Sequence, residues 1–166
     1  MTRSPSDTLR AYFASFRETN WREQIPSLFT EDADYLNFAS ETLSPETKNA
    51  IPWAGTWRGH ADIIAFQTLL NDNFEVRGFD DHTYVEQRDQ VAVFGVLLFT
   101  AKPTGKPADS DFAAHARVVD GRIASYHFYE DTFAIANAFR TDGHWSVENE
   151  AIDERVRQVP GEGELS

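Results

Sequence analysis

The chain has 166 residues and no cysteine; 15 Lys plus Arg face 27 Asp plus Glu, for a formal charge of −12. That length suits one domain with a substantial core, and the missing cysteine excludes disulfides, thiolate nucleophiles and thiolate metal sites. The acidic balance argues against a nucleic-acid binder, which needs a basic stripe. The longest apolar run, Val91 to Phe99, is far shorter than the ~20 residues that span a bilayer.

No apolar stretch follows Met1-Thr2-Arg3-Ser4-Pro5, so no signal peptide is expected and the chain reads as a cytoplasmic globule. It is rich in aromatics, with 13 Phe, 5 Tyr and 4 Trp, enough to fill a core and line a pocket. Residues 1–148 read as one domain and 149–166 as a polar tail ending in Pro160-Gly161-Glu162-Gly163-Glu164.

The first helix is predicted from Pro5 to about Glu18. Ser4, Pro5 and Asp7 take the N-cap, N1 and N3 positions, and Leu9, Tyr12, Phe13 and Phe16 make one face apolar. A second, short helix begins at Asn20, with Glu23 at capping-box spacing and Pro26 inside it. Ala33 to Phe38 reads as a strand. Residues 39 to 59 read as a long loop carrying Trp53 and Trp57, an ordered lid or wall. A third helix runs from about His60 to Leu70, with Ile63, Phe66, Leu69 and Leu70 inward.

Strand signals then follow at Phe74 to Phe79, His82 to Gln87, Val91 to Lys102, Phe112 to Val119 and Arg122 to Glu130. Asp120-Gly121 between two apolar runs signals a two-residue hairpin, and Pro103 to Pro107 a further turn. His82 and His144 read as turn histidines. Asp131-Thr132 caps a last helix ending near Arg140. Helices first and strands later give an α+β arrangement, with helices on one face of a curved antiparallel sheet. The concave side of such a sheet leaves a cavity suited to an apolar ligand.

Three segments, Leu28-Phe29-Thr30-Glu31-Asp32-Ala33, Gly55-Thr56-Trp57-Arg58-Gly59-His60, and Asp120-Gly121-Arg122-Ile123 with Tyr129-Glu130-Asp131-Thr132, carry a resemblance. In this order they resemble the SnoaL-like branch of the nuclear transport factor two-like superfamily, with ketosteroid isomerase and polyketide cyclases as relatives. The resemblance covers roughly residues 6 to 140. It implies a cone-shaped α+β barrel, a curved antiparallel sheet wrapped around three N-terminal helices. In ketosteroid isomerase an Asp base works beside a Tyr and a protonated Asp. By this resemblance the tyrosine falls on Tyr12, the base on Asn37, which cannot abstract a proton, and the second acid near His115.

His115 lies among Ala113, Ala114 and Ala116, small neighbours that leave room for an imidazole in a cavity wall or on the opposite face. Ala124, Tyr126, Phe128 and Glu130 share one side of the last strand, which the isomerase comparison turns inward. A carboxyl at the end of that aromatic wall is set up for proton transfer. Tyr35 and Asn37 share a side of the first strand.

The SnoaL-like resemblance, with these residues, implies an isomerase, cyclase or dehydratase working without cofactor on a small apolar carbonyl compound. Tyr12, His115 and Glu130 are the candidate catalytic groups; Tyr35, Asn37, Trp53, Trp57, Phe66, Tyr126 and Phe128 shape the pocket. No two histidines have a zinc-motif spacing, so no metal is expected. A non-catalytic binding protein of the same fold is the alternative, and a protein that serves assembly through its sheet is a third reading. A homodimer through the sheet is expected in each case.

Overall fold

The structure, a computed structural model, describes residues 2–37 and 43–143. The sequence-predicted strand end at Phe38, the start of the loop, His144 and the tail from 149 lie outside the described residues. Helix α1 spans Pro5–Ser15; Ser4 Oγ accepts from the Asp7 amide at 3.1 Å, and Pro5 occupies the first turn, as the sequence predicts. Helix α2 spans Trp21–Leu28. The predicted capping box does not form: Asn20 accepts from Gln24 Nε2 at 3.0 Å and makes no side-chain cap bond.

Strand β1 is Phe29–Asn37. The predicted long loop is partly ordered as helix α3, Pro45–Ala50, capped by Ser44, and strand β2, Gly55–Arg58. Ser44-Pro45-Glu46 carries the same N-cap and Pro signal as α1, so proline here starts a helix. Helix α4 spans Gly59–Asn73. Strands β3 (Phe74–Gln87), β4 (Gln90–Ala101), β5 (Lys106–Pro107), β6 (Ser110–Val119) and β7 (Arg122–Glu130) follow, then helix α5, Thr132–Phe139. The Asp120-Gly121 hairpin is present, both residues at positive φ (49° and 73°), as a type I′ turn requires.

The strands form one sheet in the order β2-β1-β7-β6-β4-β3, with β5 paired to β4. Every pairing is antiparallel except β1 with β7, which is parallel. The two predicted segments Phe74–Phe79 and His82–Gln87 are one strand. The register shifts between Val76 and Gly78 and again between Asp81 and Thr83, so β3 carries two bulges where the sequence suggests a break. His82 therefore sits at a bulge, and not in a turn. The bends curl β3 over the concave face, where Phe79 meets Phe13 and Phe112 at ring-centroid distances of 4.6 and 4.8 Å.

The core lies between that face and the helices. Helix α1 crosses β3, β4, β6 and β7, while α2 and α4 pack on β1. Leu9, Tyr12 and Phe13 face Val91, Val93, Ala114 and Ala116, all buried. Among the described residues no helix is long and apolar enough to cross a membrane.

Candidate functional site

Enclosed between α4, the C-terminal end of α1 and the sheet is a cavity of about 50 Å³. Tyr35 and Asn37 of β1, with Tyr126, Phe128 and Glu130 of β7, form its polar side. The parallel register sets Tyr35 beside Tyr126, with ring centroids 4.7 Å apart, and Asn37 beside Phe128. Glu130 follows two residues later on the same face, about 7 Å further along. Phe16, Phe66, Leu70, Phe79 and Phe99 close the other sides.

A second cavity of about 50 Å³ adjoins it and shares Phe16, Leu70, Phe74 and Phe99 as a wall. Each alone is well below the ~150 Å³ that holds a benzene ring. A single-ring ligand therefore requires the shared wall to yield. The F99A variant should join the two spaces, with a stability cost of about 3 kcal/mol for the lost, part-buried ring. Urea melts measure the cost. Calorimetry with single-ring ketones should show tighter binding than to the wild type.

The end of β7 is held firmly. Ser110 Oγ accepts from the Asp131 amide at 2.8 Å, and Asp131 Oδ1 accepts from the amides of Phe133 and Ala134, both at 3.0 Å. Asp131 is thus the N-cap of α5, as its sequence position predicts. Its neighbour Glu130 turns inward to the aromatic wall. Burial, aided by the negative charge of Asp131, pushes the Glu130 carboxyl up to about 8, so it carries its proton at neutral pH.

Behind the cavity runs a chain of polar groups. Gln67 Nε2 donates to the Tyr12 hydroxyl at 2.8 Å, and the Tyr12 hydroxyl donates to that of Tyr35 at 3.2 Å. Burial raises the Tyr12, Tyr35 and Tyr126 hydroxyls far above the ordinary phenol range, so all three act as neutral donors.

A family model for the SnoaL-like domain matches residues 9–126. The chain belongs to the SnoaL-like domain family. Patulin synthesis protein F of Aspergillus clavatus is 29% identical over 121 residues, covering 71% of this chain. The chain spans 60% of that relative's length. Among solved structures, an NTF2-like protein of Burkholderia xenovorans superposes with a TM-score of 0.69 at 22% identity, covering 84% of this chain and 98% of the other. TerC, co-crystallised with polyporic acid, superposes at 0.66 with 26% identity, covering 81% and 96%.

Within this SnoaL-like fold the predicted site residues divide into three groups. Tyr35, Asn37, Phe66, Tyr126, Phe128 and Glu130 line the cavity together. Tyr12 does not reach it; the hydroxyl stands one layer behind, on Tyr35. His115 is turned away altogether. Ala114 and Ala116 point inward, so the residue between them must point outward, where it is exposed and pairs across the strands with His127. The small neighbours make room for α1, not for an imidazole. No third ligand joins these two histidines in a metal-binding group among the described residues.

Neither tryptophan lines the cavity. Trp53 is a core residue against Phe74 and Phe139, and Trp57 packs on Phe66 and donates to the Trp53 carbonyl at 3.1 Å. His60, at the start of α4, is part-buried and meets the Phe29 carbonyl at 3.1 Å. On β7 the alternation is broken by a bulge: Arg117 pairs with Ser125 but Val118 with Ile123, so Ile123 is in the core and Ala124 drops out of the inward set. Sequence reasoning misses Gln67. Its signal is a polar residue on the buried stripe of α4, four after Ile63 and three before Leu70.

Proposed function

We propose that this SnoaL-like protein is an acid–base catalyst, an isomerase, cyclase or dehydratase, acting on a small apolar carbonyl compound. The observation that carries the reading is Glu130, a carboxyl held near a pKa of 8 at the end of an aromatic wall, on the same side of the cavity as tyrosine hydroxyls and an amide. A pKa close to the working pH lets one group both remove and return a proton. The carboxylate takes a proton from the carbon next to the carbonyl. The C–H electron pair becomes a carbon–carbon π bond as the carbonyl π pair moves onto the oxygen, and the Tyr35 hydroxyl and Asn37 amide stabilise the resulting enolate by hydrogen bonds. The proton then returns at another carbon or assists a leaving hydroxide. No step needs a cofactor. The likeness to patulin synthesis protein F, and to TerC crystallised with polyporic acid, supports a small-molecule ligand.

Exchange of α-protons for deuterium tests this whichever carbonyl compound is the substrate. Small cyclic ketones and enones incubated with the protein in D2O should lose the α-proton NMR signal faster than in buffer, over a panel of ring sizes. Exchange no faster than in buffer for compounds that calorimetry shows to be bound favours the alternative. That alternative, a non-catalytic binding protein, draws on Asn37 standing where the family resemblance puts a carboxylate base.

In the same reading a second copy of the chain docks on the outer face of the sheet. Phe94, Leu98 and Tyr129 are 49%, 38% and 45% exposed there, around Ala113 and His115. Between molecules of charge −12, the cross-strand row Phe94, Ala113 and Tyr129 carries no charge, and there two like copies repel least. Light scattering over a range of concentrations should give twice the chain mass, and F94E should reduce it to one. A wild-type monomer throughout removes the dimer.

A further inference from the structure

We propose that Gln67 is a positioning residue that sets the direction of the hydroxyl chain, so that Tyr35 donates towards the cavity and not back into the core. The inference rests on the acid–base reading above. A tyrosine hydroxyl has one hydrogen to give and lone pairs to receive. Gln67 Nε2 lies 2.8 Å from the Tyr12 oxygen and only donates, so the Tyr12 hydrogen cannot go to that nitrogen. It goes to Tyr35, 3.2 Å away. Tyr35, having received that hydrogen bond, keeps its own hydrogen for the cavity side, where Tyr126 stands and where the carbonyl oxygen of a substrate would sit in the acid–base reading.

The chemistry of the position supports a dedicated role. Gln67 is 3% exposed on the inner stripe of α4, where leucine would fill the space without a buried amide. A buried amide is costly unless its hydrogen bonds are made, and this one donates to Tyr12. Reversed, the chain would turn the Tyr35 lone pairs towards the carbonyl oxygen just as negative charge builds there.

The probe is 4-nitrophenol, whose bound ionised fraction is read from its phenolate absorbance, with 4-nitroanisole as a neutral control of similar shape. The wild type should favour the bound phenolate. Q67M, nearly the same size but without a donor, should weaken phenolate binding about tenfold while 4-nitroanisole binds as before. Y12F should do the same, and Q67M added to Y12F should cost nothing more, because Gln67 acts through Tyr12. Thermal melts establish that each variant is folded. Equal weakening of both probes, an unchanged phenolate fraction in Q67M, or additive losses in the double variant would overturn the proposal. Failure of the function reading looks different: deuterium exchange would be absent in the wild type while the Q67M effect on nitrophenolate persists.

Discussion

Replacing Glu130 by glutamine should abolish α-proton exchange while leaving the fold intact. The amide keeps the size of the side chain but has no titratable proton, and loss of a positioned acid or base typically costs 10²–10⁴-fold. Deuterium exchange followed by NMR at pH 8 is the measurement, and a variant within threefold of the wild type would remove Glu130 from the chemistry. A second signature is independent of substrate. The folded carboxyl titrates at about 8 and the unfolded one near 4.5, so between these values the native state holds the extra proton. Stability contributed by this group is therefore full below pH 4.5 and falls as pH rises towards 8. The burial that tunes the group thus destabilises the protein increasingly as pH rises between the two values. Urea melts at pH 5 and pH 9 should show a smaller decline in E130Q than in the wild type.

The second large effect is expected far from that carboxyl. A methyl group at Gly95 would lie 2.1 Å from the Asp80 carbonyl oxygen and 2.6 Å from the Phe112 ring. Neither can move freely. The carbonyl belongs to the bulged part of β3, and Phe112 is packed between Phe79 and Phe128, 4.8 and 5.3 Å away. The G95A variant must push β3 off the sheet, and the expected loss is about 4 kcal/mol or more, in the range of backbone clashes and severe overpacking. Denaturant melts, or soluble yield if the variant does not fold, measure it. A G95A protein within about 1 kcal/mol of the wild type would show that β3 does not cross β4 this closely.

These two residues also mark what can be read from sequence. The caps at Ser4 and Asp131 and the Asp120-Gly121 turn are legible, because each depends on a few neighbouring residues. The inward face of Tyr126, Phe128 and Glu130 follows from strand alternation once the family resemblance supplies the sign. The outward turn of His115 is not legible: small neighbours look the same whether they make space for an imidazole or for a helix. The bulge at Ala124, the two in β3 and the close crossing at Gly95 depend on what the partner strand does, which is non-local information. The Gln67–Tyr12–Tyr35 chain likewise joins three elements distant in sequence, though a lone amide on an apolar stripe is a visible clue.

The parallel pairing of β1 with β7 has a consequence for how the protein comes into being. Tyr35 and Tyr126 stand side by side yet are far apart along the chain, so closing that contact carries one of the larger entropic penalties of folding. During synthesis the first half of the cavity wall waits, unpaired along one strand edge, until its other half has left the ribosome. A chain truncated before Arg122 would therefore lack more than the acid: it would expose the bare edge of β1, a template for sticking to its neighbours.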